Sequence, residues 1–187
     1  MVKTTIPLVM DAEEGDIKID NKAICVLDIA HHEIHQGDFF TTDYTKDTSS
    51  GGTANILLVV PTATEEVHII YRVNTELEAE ITMYEGSTVT GSPTELVIYN
   101  KNRNSIQTSR CRAYADANVT VNGTLLRTVH IGTQTAGTKV GGETRETDEW
   151  ILTPGNYIFK VTNATTSANQ VSIILNWYRI TGDEDEE

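Results

Sequence analysis

Three imidazoles crowd one short stretch of the chain, His31, His32 and His35. Neutral imidazole nitrogen binds transition metals well, so a metal site is the first chemistry to weigh. Spacings of one and four would suit ligands on a helix. The flanking residues, however, read as strand, where His31 and His35 share a face and His32 points away. His32-Glu33-Ile34-His35 is also one residue too short for the His-Glu-x-x-His pattern. The expectation is therefore a polar strand edge or subunit contact carrying His31 and His35, with no metal and no cofactor.

Carboxylates are plentiful at Glu65/Glu66, Glu76/Glu78/Glu80 and Asp148/Glu149. Glycoside hydrolysis needs two of them at a defined separation around a bound sugar. Alternating glutamates on a strand instead mark its solvated face. No Gly-x-Ser-x-Gly elbow occurs. Gly51-Gly52 and Gly141-Gly142 lack the Gly-Lys-Ser/Thr of a phosphate loop. These gaps argue for a non-enzymatic protein. Trp150 and Trp177 could stack on sugars, but both sit in apolar strand sequence, which favours packing. The sequons at Asn118, Asn122 and Asn163 read as chance matches in a chain that is about 15% Thr.

One polar block stands out, Asn100-Lys101-Asn102-Arg103-Asn104-Ser105. Two readings stay open. Arg103 could fork onto a partner carboxylate, or the asparagines could satisfy their own backbone in a long connection. Arg145, beside Glu143, Glu146 and Glu149, raises the same question.

The elements that would position these residues are strands. The 187 residues are 39% hydrophobic and 22% charged, which allows one sizeable core. Ile24–Ile29, Phe39–Tyr44, Ala54–Val60, Val67–Val73 and Leu77–Met83 read as strands, the last two with a period of two. So do Glu95–Tyr99, Arg110–Val121, Gly123–Ile131, Glu149–Leu152, Tyr157–Thr162 and Val171–Ile180. Turn residues separate them, and Asn122-Gly123 carries a hairpin signal. No long stretch has helical periodicity, and Gly132–Gly142 reads as a long exposed loop. The pattern predicts an all-β, jelly-roll-like antiparallel β-sandwich over residues 23–181.

Residues 1–22 read as an extended N-terminal arm. Its apolar patch, Ile6, Pro7, Leu8, Val9 and Met10, needs a protein partner to be ordered. Residues 182–187 form a short acidic C-terminal tail. The net charge of −13 opposes binding to nucleic acid or to an anionic membrane. No apolar run reaches membrane-spanning length, and no signal-peptide pattern is present, so synthesis in a cytoplasm is expected. Cys25 and Cys111 are expected to be buried free thiols.

Several ordered blocks resemble a structural family of tailed-bacteriophage particles. They are His31-His32-Glu33-Ile34-His35-Gln36-Gly37, Tyr84-Glu85-Gly86, the Asn100–Ser105 block, Gly123-Thr124-Leu125-Leu126 and His130-Ile131-Gly132. Gly141-Gly142-Glu143 with Arg145, Glu149-Trp150-Ile151-Leu152 and the Tyr157–Tyr178 segment complete the series. The resemblance covers about residues 25 to 180, and Lys101 departs from its pattern. It implies a capsid decoration (cement) protein on the outer surface of the virion, bound to the major capsid protein as a homotrimer. The family brings no catalytic residues. Candidate protein contacts, read from the residues themselves, are the arm patch, His31, His35, Arg103 and Arg145. The alternative is a host-receptor or carbohydrate-binding sandwich of a fibre or tail tip.

Overall fold

The computed structural model describes residues 19–20, 23–24, 29–62, 66–132, 140–143 and 149–180. Residues 1–18, Arg145 and the acidic tail lie outside the described residues. The elements are β1 (Ile19–Asp20), β2 (Ala23–Ile24), α1 (Ile29–Gln36), β3 (Phe39–Thr48), β4 (Thr53–Val60), β5 (Glu66–Thr75) and β6 (Ala79–Glu85). They continue with β7 (Thr88–Thr90), β8 (Thr94–Glu95), β9 (Tyr99–Asn100), β10 (Arg112–Ala115) and β11 (Asn118–Val121). The last are β12 (Thr124–Ile131), β13 (Val140–Glu143), β14 (Trp150–Leu152), β15 (Gly155–Asn163) and β16 (Asn169–Ile180). Two of the sheets have six strands each. One runs β12-β6-β15-β4-β10-β8, and the other runs β13-β5-β16-β3-β9 with β14 also on β5. The chain is an all-β antiparallel sandwich with one short helix among the described residues.

The pairing has a simple logic. β3 pairs with β16, β4 with β15, β5 with β14 and β6 with β12, all antiparallel. The four strands β3–β6 are thus nested in reverse order against β16, β15, β14 and β12, as in a long hairpin, with β1–β2, β7–β11 and β13 outside the series. Successive pairs alternate between the two sheets, and β5·β16 and β6·β15 join the pairs within each sheet.

Period-two side chains fill the space between the sheets. Val67, Ile69, Tyr71 and Val73 of β5 point inward with Ile173, Leu175 and Trp177 of β16. Ile56 and Leu58 of β4, Met83 of β6, and Tyr157 and Phe159 of β15 meet them from the other sheet. The unbroken apolar run of β4 has a separate cause. Its outer face is also covered, because Leu57 and Ile158 pack with Ala117 beneath Val89 of β7 and Val119 of β11. A strand buried on both faces has no need to alternate.

Four sequence expectations change. The strand read through Ile24–Ile29 ends at Ile24 in β2, and Ile29 opens α1. Gly37 (φ 86°) closes that helix. Its N–H reaches the carbonyl of Ile34 and the Asp38 N–H that of Glu33, a helix stop that favours glycine. Asn122-Gly123 is not a hairpin, since β11 pairs with β7 and β12 with β6. Gly123 (φ 81°) is needed there for another reason: a Cβ would lie 2.1 Å from the Glu85 carbonyl oxygen. The strand expected over Arg110–Val121 breaks into β10 and β11 at Asp116, which takes φ 47°. Asn55 grips the break, accepting from Ala117 N–H and donating to Ala117 O. Finally, the end of the expected 132–142 loop is strand β13, paired with β5.

Candidate functional site

The segment expected to be one strand over Glu95–Tyr99 is instead the start of a strap, residues 96–110. It leaves β8 on one sheet, joins the other sheet through β9, and returns to β10. Leu96 N–H donates to Ala113 O, and Val97 O accepts from the Thr42 hydroxyl. Lys101 N–H then donates to Phe39 O.

The asparagines hold the strap in shape. Asn100 Oδ1 accepts from Asn102 N–H at 2.8 Å, and Asn102 Oδ1 accepts from Asn104 N–H at 3.1 Å. Asn100 Nδ2 donates to Gly37 O and to Gln107 O. Asn102 Nδ2 donates to His35 O at 3.1 Å. This settles the second of the two open readings for the asparagines, which satisfy local backbone. It also ties the strap to the end of α1, so His31, His35 and Arg103 belong to one joined unit. Ser105 packs where a Gly37 side chain would be, within 2.2 Å of a built Cβ.

Arg103 is not spent inside the fold. Its guanidinium lies 5.7 Å from the Tyr99 ring centroid, and no carboxylate among the described residues is in ion-pair reach. The same strap carries exposed apolar side chains. Ile106 is 97% exposed, Val97 64% and Tyr99 49%. An exposed isoleucine side chain gains free energy when a partner covers it.

His31 and His35 are exposed on α1, one turn apart. Their Nε2 atoms lie 3.0 Å apart and their rings meet edge-on at 4.7 Å. His32 faces elsewhere, with Nδ1 3.2 Å from Glu33 and Nε2 3.3 Å from Gln36. The expected face-sharing of His31 and His35 holds, but through helical spacing rather than strand alternation. The arm patch Ile6, Pro7, Leu8, Val9 and Met10, together with Arg145, lies outside the described residues.

A second polar cluster was not singled out from the sequence. On the outer face of the β5·β16·β3 sheet, Lys101 Nζ sits 4.2 Å over Phe39, Phe39 stacks on Tyr178, and Tyr178 stacks on His68. His68 Nδ1 is 2.8 Å from Glu149, which also accepts from the Tyr178 hydroxyl. Glu66 lies 3.6 Å from His68 Nε2. A His–Glu pair can orient a general base, and among the described residues no hydroxyl or thiol is hydrogen-bonded to this imidazole. The cluster instead ties β14 and its flanking Glu149 to β5 and β16. Burial, with the Arg72 guanidinium adding to it, lowers the Lys101 pKa. Beside it, Arg179 Nη2 donates to Asp38 in a buried ion pair. Only a strand register known in advance would have brought His68, Glu149 and Tyr178 together.

The tryptophans do not form a platform. Trp177 is fully buried and donates Nε1–H to Ser109, and Trp150 packs against the core. Cys111 is a free, buried thiol whose pKa burial raises to about 11, with Ser109 and Arg179 opposing. Cys25 lies outside the described residues. No helix among the described residues is long and apolar enough to cross a membrane. Compared with family models, with curated proteins and with solved structures, the chain finds no match.

Proposed function

We propose that the chain is a non-enzymatic capsid decoration protein of a tailed bacteriophage, docking on the major capsid protein shell through the strap and α1. The observation that carries this is the strap itself. A segment stitched by its own asparagines leaves Ile106, Val97 and Tyr99 exposed to water, with the exposed Arg103 guanidinium over the Tyr99 ring. Rigid apolar and arginine side chains are what protein interfaces use as anchors. The choice of the shell as partner rests on the resemblance of the sequence blocks to tailed-phage structural proteins.

The nested pairing of β3–β6 with β16, β15, β14 and β12 supports the finer fold reading, a jelly roll, in which a long hairpin is wrapped into two sheets. Oligomerisation into a homotrimer has a physical motive. Strand β12 is an eight-residue edge of its sheet, and long open edges invite a neighbour. The arm patch of residues 6–10 would add reach to an adjacent subunit or to the shell. Several modest contacts per trimer then act together. The receptor- or glycan-binding alternative loses its strongest sequence motive with Trp177 inside the core.

Quantitative mass spectrometry of purified particles tests the proposal. Copies comparable in number to the capsid protein are expected. A protein absent from particles, or present in a handful of copies, would falsify it.

A further inference from the structure

We propose that His31 and His35 form a two-imidazole chelate for one divalent transition-metal ion of the Ni(II) or Cu(II) type. The inference is independent of any role in a particle. It starts from α1, which sets the two residues four apart on one face. Their Nε2 atoms converge to 3.0 Å with the ring planes inclined by 71°.

That separation is informative. Two imidazole nitrogens bonded at about 2.1 Å and at right angles lie about 3.0 Å apart, whereas a tetrahedral angle requires about 3.4 Å. The observed 3.0 Å lies within a few tenths of an ångström of both, so small ring rotations reach either, and the preference for Cu(II) over Zn(II) follows from the general affinity order of nitrogen donors. The same spacing without an ion is a single N–H···N hydrogen bond between neutral rings. Moving the ring protons to Nδ1 frees both Nε2 lone pairs for an ion.

The surroundings favour a cation. His35 lies in the last turn of α1, where the helix carbonyls present partial negative charge. The whole chain carries −13. The geometry is also preset, since Asn102 and Asn100 fasten the helix end through the backbone carbonyls of His35 and Gly37. Because those bonds use backbone, either imidazole can be replaced without loosening the strap. Among the described residues no group of three or more His, Cys, Asp or Glu side chains is arranged to hold a metal. The chain thus supplies two donors, and water fills the remaining positions because both rings are exposed.

Titration calorimetry of the full chain with NiCl₂ and with CuCl₂ tests the site, using His31→Gln, His35→Gln and His32→Gln as variants. One ion per chain is expected, with ZnCl₂ binding more weakly. Losing either chelating ring removes the gain from tethering two donors, so His31→Gln and His35→Gln should each weaken binding at least about tenfold. His32→Gln should stay within about twofold of the parent. Melting curves without metal check that the variants fold. Should one fail, the electron paramagnetic resonance spectrum of the Cu(II)-loaded parent decides, two coordinated imidazole nitrogens being expected. Equal binding by the His31→Gln/His35→Gln double variant, equal losses in His32→Gln, or a copper spectrum without two imidazoles would mean an adventitious ion only, and would overturn the proposal.

Discussion

The sandwich interior and the 96–110 strap are built on opposite principles. Between the sheets, Phe159, Trp177, Tyr71 and Met83 are almost wholly removed from water, and strands far apart in sequence hold one another by apolar contact. In the strap, side-chain amides bond to nearby backbone, and while Leu96 and Ile98 pack on the core, Val97, Tyr99 and Ile106 face outward. The first arrangement gains stability from area buried. The second anchors itself with Leu96 and Ile98 and leaves its remaining apolar surface for a partner. The difference implies that fold and docking surface can be altered separately.

The largest effect that would test this contrast lies in the core. Phe159, packed against Tyr71 at 5.2 Å between ring centroids, is held from both sheets. Phe159→Ala should lower the unfolding free energy by about 4 kcal/mol, from lost burial and the cavity left behind. Urea denaturation measures it, and a loss below about 1 kcal/mol would mean that the two sheets are not packed as described.

A smaller effect sits where strap and core meet. The Cys111 pKa is about 11 in the fold against an ordinary 9.0, because burial disfavours the thiolate. The neutral thiol's contribution is therefore full below pH 9 and is lost as pH rises towards 11. Over that window the parent should lose about 2 kcal/mol more stability than Cys111→Ala, the other titrating groups cancelling in the difference. Urea midpoints at the two pH values give the answer, and parallel losses in both proteins would place the thiol in contact with water.

How much of this was legible in the sequence follows from which forces act locally. The period of two in Val67–Val73 and Leu77–Met83 gave the inward faces of β5 and β6 correctly, because alternation is imposed by the strand itself. The all-β class followed from the same pattern. The helix α1 was missed because eight residues span only two turns, too few for a 3.6-residue period to show. Its stop signal, Gly37 behind His35 and Gln36, was present. The Asn122-Gly123 hairpin failed because turn residues report a bend, not which strand lies alongside. On the site, Arg103 and the His31/His35 pairing could be picked out by residue type. The exposure of Ile106 could not, since an isoleucine in sequence looks like core. The His68–Glu149–Tyr178 cluster depends on long-range register, which no local pattern encodes.

The smallest expected change in stability goes with the largest expected change in binding. Ile106 and Arg103 touch little of their own fold, so the double substitution Ile106→Ser/Arg103→Ala should alter unfolding free energy by less than about 0.5 kcal/mol. The direct measurement is co-sedimentation of the parent and this variant with capsid shells stripped of the protein. The account expects the variant to be as stable as the parent and to bind at least about tenfold more weakly, the loss typical of removing central interface anchors. Undiminished binding, or a fall in stability that matches the fall in binding, would contradict the separation of docking surface from fold.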